Sequence, residues 1–399
     1  MTENQPESQQ QPAPRADGDD HAPVRFRPLL VTFGSVVEPD GGLQVRSRIL
    51  AESLTSLGMP PTILSTREAK GFDATPPWAR SIHVPSHRPW RGFSKEWARL
   101  IGKHARNADV VIVANAMFMP ALQLSGTRLP MIWDTNECQT LHYARMERTA
   151  STRAKQLIWW GLERWAAHRC LVAVAIGDAE ATEWRRIHPP LRNKLMTVDH
   201  AAFVPSLKSD GDPAVLSDRV GGSLRRPVLL FVGTMTAKHN AAAARWLIDV
   251  LAPALADTAT IVICGPGSDR LVGSGKKGAP VLLLGAVDDI DSVIATADLC
   301  LAPLATGAGV KTKVLHYLAH GRRVAGTPIA FEGLDGAPGL DAAPLEGLPE
   351  LVARMIGAPE TATVTRSRVA AQREWLTLHH GRPLIIDQWR NVLTCVNGK

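Results

Sequence analysis

The sequence predicts an α/β protein with two Rossmann-like, doubly wound domains that face each other across a cleft. Three observations support this: a length of 399 residues, two successive series of short apolar segments, and a polar stretch between the series. The length exceeds that of one ordinary core. Short apolar segments bounded by Gly, Pro or charge are typical of parallel strands with helices on both faces. Ligands bind such domains at the carboxyl ends of the strands.

The first series of predicted strands occupies the N-terminal half of the chain. Its members are PLLVTF from Pro28, PTIL from Pro61, SIHV from Ser81, ADVVIVA from Ala108, PMIW from Pro130 and CLVAVAI from Cys170. The second series consists of PVLLFVG from Pro227, ATIVICG, VLLLGAV, ADLCLAPL and RVAGTP. Helical or turn-rich stretches separate these segments, as βαβ units require.

The composition around these series predicts the domain boundaries. Residues 1–24 are rich in Gln, Pro and acids, which predicts a disordered tail and not a signal peptide. Residues 25–205 form the predicted N-terminal domain, and the polar passage 206–226 forms the linker. Residues 227–378 form the predicted C-terminal domain, and 379–399 a helix that packs back on the N-terminal domain.

Charge and cysteine content exclude several classes of protein. The net charge is +7, and because residues 1–24 carry five acids and one arginine, the remainder has about +11, which favours anionic partners. No nucleic-acid motif, basic run or set of stacking aromatics supports a nucleic-acid partner. The five cysteines form no CxxC pair, which disfavours disulfides and a zinc knuckle. No run of 18 apolar residues occurs, so we expect a cytoplasmic protein.

The stretch GAGVKTKVLHYLAHG, residues 307–321, predicts a phosphate site. Gly307 and Gly309 allow the backbone to approach an anion closely, and the first N–H groups of the following helix point toward it. Lys311 and Lys313 add positive charge. The alternative is an ordinary glycine turn whose lysines reach into water.

Two other turns between strand and helix carry candidate anion ligands. In the first domain, Gly41 and Gly42 precede a predicted helix and form a second anion cradle. In the second domain, Gly233 ends a strand, and Lys238 and Asn240 stand just before an alanine-rich helix. The alternatives are a glycine bulge, a solvated lysine and Asn240 as a helix N-cap.

These segments resemble the GT-B glycosyltransferases of glycosyltransferase family 4 from about residue 28 to the C-terminus. In the second half the resemblance rests on FVGTMTAKHNAAAARWL, ICGPGSD and VDDIDSVIATADLCLAPLATGAGVKTKVLHYLAHGRRVAGTPIAFEGL. In the first half it rests on GGLQVRSRIL, WDTNE and VAVAIGDAEATEWRR. The family implies a nucleotide-sugar donor on the C-terminal domain, an acceptor on the N-terminal domain, and transfer with retention of anomeric configuration.

The resemblance also implies the site residues. Lys238 and Lys313 match positions that hold the diphosphate, where fixed cations stabilise the leaving group, so no metal and no other cofactor is expected. With Asp134 as acid/base candidate, these lysines are the predicted catalytic residues. The predicted donor-binding residues come from the glycine turns, the helix starts and the segment that touches the sugar in the family: Gly41, Gly42, Gly233, Asn240, Gly265, Gly307, Gly309, Lys311, His316, Phe331, Glu332, Gly333 and Leu334.

The chain departs from the family pattern at three places. His316 replaces a glutamate that binds the ribose hydroxyls, Ala308 replaces a second glutamate, and the segment from Val198 lacks an Asn-Gly pair. Three functions therefore stay open. The first is a retaining glycosyltransferase that acts on a glycan, lipid-linked or small-molecule acceptor. The second is a non-catalytic GT-B partner or binding protein, and the third is another nucleotide-sugar enzyme such as an epimerase.

Acid/base and metal-ligand candidates complete the predicted site. Asp134, Glu137 and His142 follow the strand PMIW, where one of them would orient the acceptor hydroxyl. An ion pair or helix cap is the alternative for Asp134. His316 and His320 have the i, i+4 spacing of metal ligands, but a third ligand is not evident from the sequence, so we predict no metal.

Residues 142–194 combine many arginines with four tryptophans, Trp159, Trp160, Trp165 and Trp184. Such a helix face would suit the surface of an anionic membrane. Leu157, Ile158, Leu162, Trp165 and Ala166 keep the helical period of an ordinary core, however. We therefore expect the tryptophans to pack in the core, with a peripheral membrane contact as the alternative.

Overall fold

A computed structural model describes residues 26–37, 42–65, 80–83, 95–201, 225–255, 258–271, 280–307 and 309–397. The predicted tail, residues 206–224 of the predicted linker, Gly41 and Ala308 lie outside the described residues. Within these ranges the strands form two sheets, and neighbouring strands pair in parallel throughout. The predicted fold class is confirmed.

The N-terminal sheet has seven strands in the part of the chain that is described. They are β1 Pro28–Val31, β2 Thr62–Ser65, β3 Arg80–His83, β4 Val110–Val113, β5 Met131–Asp134, β6 Val172–Ala175 and β7 Leu195–Thr197. Their order is β3-β2-β1-β4-β5-β6-β7. The order reverses between β1 and β4, which opens a crevice at the carboxyl ends of these strands.

The helices of this domain connect its strands. They are α1 Gly42–Ser56, α2 Lys95–Ala105, α3 Met119–Leu124, α4 Gln139–Ala144, α5 Ala150–Arg169 and α6 Gly177–Ile187. Two apolar clusters, one on each face of the sheet, form the core. Strands buried on both faces explain why their sequences are continuously apolar.

The C-terminal sheet has six described strands. They are β8 Val228–Val232, β9 Thr260–Cys264, β10 Val281–Gly285, β11 Leu299–Ala302, β12 Val324–Gly326 and β13 Leu340–Ala342, in the order β10-β9-β8-β11-β12-β13. The helices are α7 Lys238–Trp246, α8 Ala252–Leu255, α9 Ile290–Thr296, α10 Thr312–Ala319, α11 Leu348–Gly357, α12 Ala362–His380 and α13 Arg382–Asn397. A π-helical segment, Leu247–Leu251, joins α7 to α8.

The apolar segments predicted all eleven strands that they marked, whereas β7 and β13 were missed. Both missed strands have three residues and lie at the edge of their sheet. An edge strand of this length packs few side chains, so its sequence carries no continuous apolar run. β13, with the sequence LDA, includes the half-exposed Asp341.

The last helix, α13, packs against the N-terminal domain. Trp389 is 1% exposed and belongs to the same apolar cluster as Leu30 of β1 and Leu50 of α1. The predicted returning helix therefore begins at Arg382, three residues later than expected. Gly381 separates it from α12, so the chain crosses back to the first domain at this residue.

Helix α5 presents an apolar surface to solvent. Leu157 is 68% exposed, Ile158 62%, Trp160 39% and Trp165 37%, so the predicted core packing is wrong for these four. It is correct for Trp184, which is fully buried. None of the helices in the described ranges is long and apolar enough to cross a membrane.

We expect Trp389→Ala to destabilise the protein by about 3–5 kcal/mol, because the truncation leaves a cavity between α13 and the N-terminal sheet. Val364→Ala removes apolar atoms from a side chain that is 51% exposed and serves as the matched control, with an expected change below about 0.5 kcal/mol. Urea unfolding followed by circular dichroism measures both. Equal unfolding midpoints for the two variants would contradict the packing of α13.

Candidate functional site

The carboxyl ends of both sheets line two adjoining cavities of about 490 and 550 Å³. The first, which we call the polar lobe, includes Glu137 and His239 in its lining. The second, the apolar lobe, includes Val287, Ile290 and Ile294. Both lobes share the side chains or backbone of Gly42, His200, Thr234, Asn240, Thr312 and Lys313.

Lys313 lies at the junction of the two lobes. Its Nζ donates a hydrogen bond to Asn240 Oδ1 at 2.6 Å and lies 4.3 Å from the centre of the Phe231 ring. Burial, aided by the charge of Lys311, lowers the pKa of Lys313 to about 7. An ammonium group held in a buried place by neutral partners is stabilised when an anion binds beside it.

The glycine turn before α10 has the backbone conformation that its sequence predicted. Gly307 and Gly309 have φ values of 144° and 69°, in the region that favours glycine. Lys311 Nζ donates a hydrogen bond to Gly309 O at 2.5 Å, which ties the lysine to its own turn. Burial lowers the pKa of Lys311 as well.

Gly233 and Gly265 form the floor of the cleft, where the ends of β8 and β9 meet. A Cβ atom at Gly265 would lie 2.2 Å from Gly233 O, so a side chain cannot be accommodated there. Gly42, at the start of α1, comes close to Thr312: its Cβ would lie 3.7 Å from Thr312 Oγ1. The N-terminal ends of α1 and α10, one from each domain, therefore converge on the cleft, which favours an anion.

The wall that faces Lys313 from the N-terminal domain contains a carboxylate–imidazole pair. Glu137 Oε1 and His142 Nδ1 are 3.0 Å apart, and this hydrogen bond raises the pKa of His142. Burial acts to raise the pKa of Glu137, but the hydrogen bond and charge of His142 outweigh it and lower the net value. His239 of the other domain lies near, with its ring centre 6.4 Å from that of His142.

Asp134 does not line either lobe. It is fully buried, and Arg46 Nε donates to its two carboxylate oxygens at 2.8 and 3.0 Å. Arg46 also donates to Val198 O at 3.1 Å. The structure thus places Asp134 in the ion pair that the sequence left as an alternative, and this arrangement ties α1 to β5.

Lys238 is exposed at the first residue of α7 and is absent from the lining of both lobes. The two residues after it, His239 and Asn240, line the polar lobe instead. The N-cap of α7 is Ala237, so the N-cap interpretation of Asn240 is wrong. Among the predicted diphosphate lysines, the structure brings Lys313 and not Lys238 to the cleft.

The segment Phe331 to Leu334 lies beside the cleft and lines neither lobe. Leu334 is buried in the C-terminal core, and Glu332 pairs with Arg145 of the N-terminal domain at 3.2 Å. Arg145 also donates to Gly307 O at 2.7 Å. These bonds fasten the glycine turn and the Phe331 segment to the opposite domain.

His316 lines the apolar lobe and is bonded to a carboxylate. Its Nε2 lies 2.5 Å from Asp291 Oδ1, and His320 Nε2 lies 3.0 Å from the same oxygen. The sequence had shown no third group near these histidines. Asp291 is on α9, 25 residues before His316, and nothing in the sequence spacing indicates the contact.

Two buried titratable groups near the cleft were missed by sequence reasoning. His200 lines both lobes, and burial with the charge of Arg46 lowers its pKa to about 4. Glu180 lies beside Gly309, and burial raises its pKa to about 8. His200 follows β7, a strand without a sequence signal, and Glu180 has the spacing of an ordinary helix residue.

Comparison with known proteins supports the predicted fold and gives a family match for one of the two domains. Residues 226–357 match the family model described as Glycosyl transferases group 1. No curated protein matches the chain. The chain is similar in structure to WaaG, a glycosyltransferase involved in lipopolysaccharide biosynthesis, at 14% identity and a TM-score of 0.69, over 92% of this chain and 99% of that one.

Two other solved structures show the same likeness over nearly the whole chain. Sucrose-phosphate synthase from Thermosynechococcus elongatus is 13% identical with a TM-score of 0.72, over 93% of this chain and 99% of that one. HepE of Anabaena in complex with UDP-glucose is 13% identical with a TM-score of 0.67, over 94% of this chain and 100% of that one. The chain therefore has the GT-B fold, and its residues 226–357 are a group 1 glycosyltransferase domain.

Proposed function

We propose that the protein is a retaining glycosyltransferase of family 4 that moves a sugar from a nucleotide-diphosphate donor to a glycan, lipid-linked or small-molecule acceptor. The observation that carries this proposal is the position of Lys313, held by Asn240 at the junction of two lobes. The starts of α1 and α10 converge on the same place. Lys313 and the two helix starts together suit a diphosphate whose two substituents extend into different lobes.

The lining of the two lobes supports the following placement of the donor. The apolar lobe, with Val287 and Ile290, suits the base and ribose. The diphosphate would lie at Lys313 and the glycine turn, and the sugar would extend into the polar lobe. HepE binds UDP-glucose, so a uridine nucleotide is the first donor to test.

The transfer breaks the bond between the anomeric carbon and the β-phosphate oxygen and forms a bond from that carbon to the acceptor oxygen. Negative charge grows on the departing diphosphate. Lys313 and the N-terminal end of α10 therefore stabilise the transition state more strongly than the ground state. The acceptor proton passes to a departing phosphate oxygen. Under this scheme no metal and no other cofactor takes part.

Glu137 and His142 are the groups that orient the acceptor. Glu137 lines the polar lobe and holds His142 by a 3.0 Å hydrogen bond. This pair takes the role that the sequence had also offered to Asp134, whose carboxylate is enclosed by Arg46. The Glu137 carboxylate can accept a hydrogen bond from a hydroxyl in the polar lobe, and its bond to His142 fixes the direction of that acceptor.

The first test is Lys313→Met, which keeps the length of the side chain and removes its charge. We expect affinity for UDP or UDP-glucose to fall about 10- to 100-fold, the range for losing one hydrogen bond to a charged group. Lys103→Met, at an exposed lysine of α2, is the matched control and should bind as wild type. Isothermal titration calorimetry measures the affinities. If wild type binds a nucleotide and Lys313→Met binds it equally well, the diphosphate lies elsewhere.

The pKa of Lys313 predicts a pH dependence of donor binding. Because the free lysine has a pKa of about 7 and the diphosphate favours its charged form, affinity for UDP-glucose is full below pH 7 and falls at higher pH, by up to about tenfold per pH unit. In Lys313→Arg the charge persists, so this fall should disappear. Glu180, whose pKa is about 8, also titrates in this range, but it does so in both proteins. Parallel curves for the two would refute the assignment.

We also propose that the exposed face of α5 makes a peripheral contact with an anionic membrane. Leu157 and Ile158 are exposed on this helix. The guanidinium carbon of Arg164 lies over the Trp160 ring, 5.5 Å from its centre. Arg153 and Lys155 add positive charge on the same helix. Exposed apolar residues among basic ones are the features of an interfacial helix.

Sedimentation with vesicles tests this contact. We expect wild type to bind vesicles with phosphatidylglycerol, and the double variant Leu157→Ser/Ile158→Ser to bind at least about tenfold more weakly, because it loses two buried apolar side chains. Leu378→Ser, at a leucine 63% exposed on α12, is the control for a general loss of surface apolarity. Equal binding of all three proteins, or none by wild type, would contradict the contact.

A further inference from the structure

Three potential metal ligands converge on the wall of the apolar lobe. His316 of α10 and His320, the C-cap residue of that helix, lie one turn apart, and Asp291 reaches them from the first turn of α9. One potential ligand atom of each residue, an imidazole nitrogen or a carboxylate oxygen, lies within 4.8 Å of the other two. Two imidazoles and one carboxylate form a ligand set that zinc and similar ions use in proteins.

The distances fit a metal ion after a small movement. Asp291 Oδ1 is 2.5 Å from one Nε2 and 3.0 Å from the other. In a tetrahedral zinc site with bonds of about 2.0–2.2 Å, neighbouring ligand atoms lie roughly 3.3–3.5 Å apart. The Asp291 side chain is 50% exposed, so it can withdraw by the required fraction of an ångström without disturbing the core.

The site also has an open side. Asp291 and His316 line the apolar lobe, whereas His320 is 8% exposed and anchors the group to the helix. Three protein ligands beside a cavity leave a fourth position for water or for an oxygen of a ligand. This is the arrangement of an accessible metal site and differs from a closed structural site.

A second group of potential ligands, Cys138, Glu163 and His188, is less suitable. Burial raises the pKa of the Cys138 thiol, so it does not supply the thiolate that a metal requires. Glu163 accepts hydrogen bonds from Thr140 Oγ1 and from the backbone N–H of Gln139, which occupies both carboxylate oxygens. This cluster fixes the start of α4 to α5.

We propose that Asp291, His316 and His320 bind one divalent transition-metal ion of the zinc class on the wall of the apolar lobe. Asp291 and His316 line the apolar lobe together with Lys313 and do not line the polar lobe, so the ion would lie on the apolar side of Lys313. Binding would join α9 to α10 through the metal. The proposal does not depend on the proposed function, because it concerns metal binding by the free chain.

The test uses the full chain after treatment with a chelator. Zn²⁺ is titrated in competition with a chromophoric chelator, and Co²⁺ is added separately to observe the visible absorption of a four-coordinate site. We expect one Zn²⁺ per chain, with affinity lowered at least tenfold in Asp291→Asn and in His316→Ala. His168→Ala, at an exposed histidine of α5, should bind as wild type.

Asp291→Asn keeps the size of a half-exposed side chain and should fold normally, which thermal unfolding in the absence of metal checks. The proposal is overturned if wild type binds no stoichiometric Zn²⁺, or if Asp291→Asn and His316→Ala retain wild-type affinity. The latter result would place the bound ion elsewhere on the chain.

Discussion

The buried ammonium group of Lys313 is the constraint on which the site depends. A charge in such a place is costly unless a partner stabilises it, and its contacts are the neutral amide of Asn240 and the ring of Phe231. Burial accordingly lowers its pKa to about 7. The free cleft is thus prepared for an anion: a bound diphosphate would supply the missing charge, and part of the cost of burial would be recovered as affinity.

The contacts between the domains determine where this lysine can act. Gly42 lies close to Thr312, so the start of α1 is next to the start of α10. Arg145 bonds to Gly307 O and to Glu332, and α13 packs on the N-terminal core. The glycine turn is therefore held by residues of both domains. As a result, the groups that would bind the donor and those that would bind the acceptor keep a fixed position relative to each other.

The sequence predicted the features that depend on neighbouring residues and missed those that depend on contacts between residues far apart in the chain. Strands and the glycine turn were predicted because apolar runs and backbone requirements are local. The sequence did not indicate that Asp134 is enclosed in an ion pair, because its partner, Arg46, is 88 residues away. It also did not indicate that Lys238 is absent from the lining of the cleft, because packing sets the direction of a side chain at a helix start. Asp291 was missed for the same reason: its bond to His316 exists only once α9 and α10 are packed together.

The contact between Asp291 and His316 changes the interpretation of the residue replacement at His316. The resemblance indicates a carboxylate at this position of the helix, and its replacement had suggested a protein without donor activity. The structure brings Asp291 Oδ1 within 2.5 Å of His316, at a residue that lines the same lobe. In the metal-free chain the lobe therefore retains a carboxylate, supplied by α9 and oriented by an imidazole of α10. With Lys313 and the glycine turn also in place, the replacement of the glutamate is a weak argument against an active transferase.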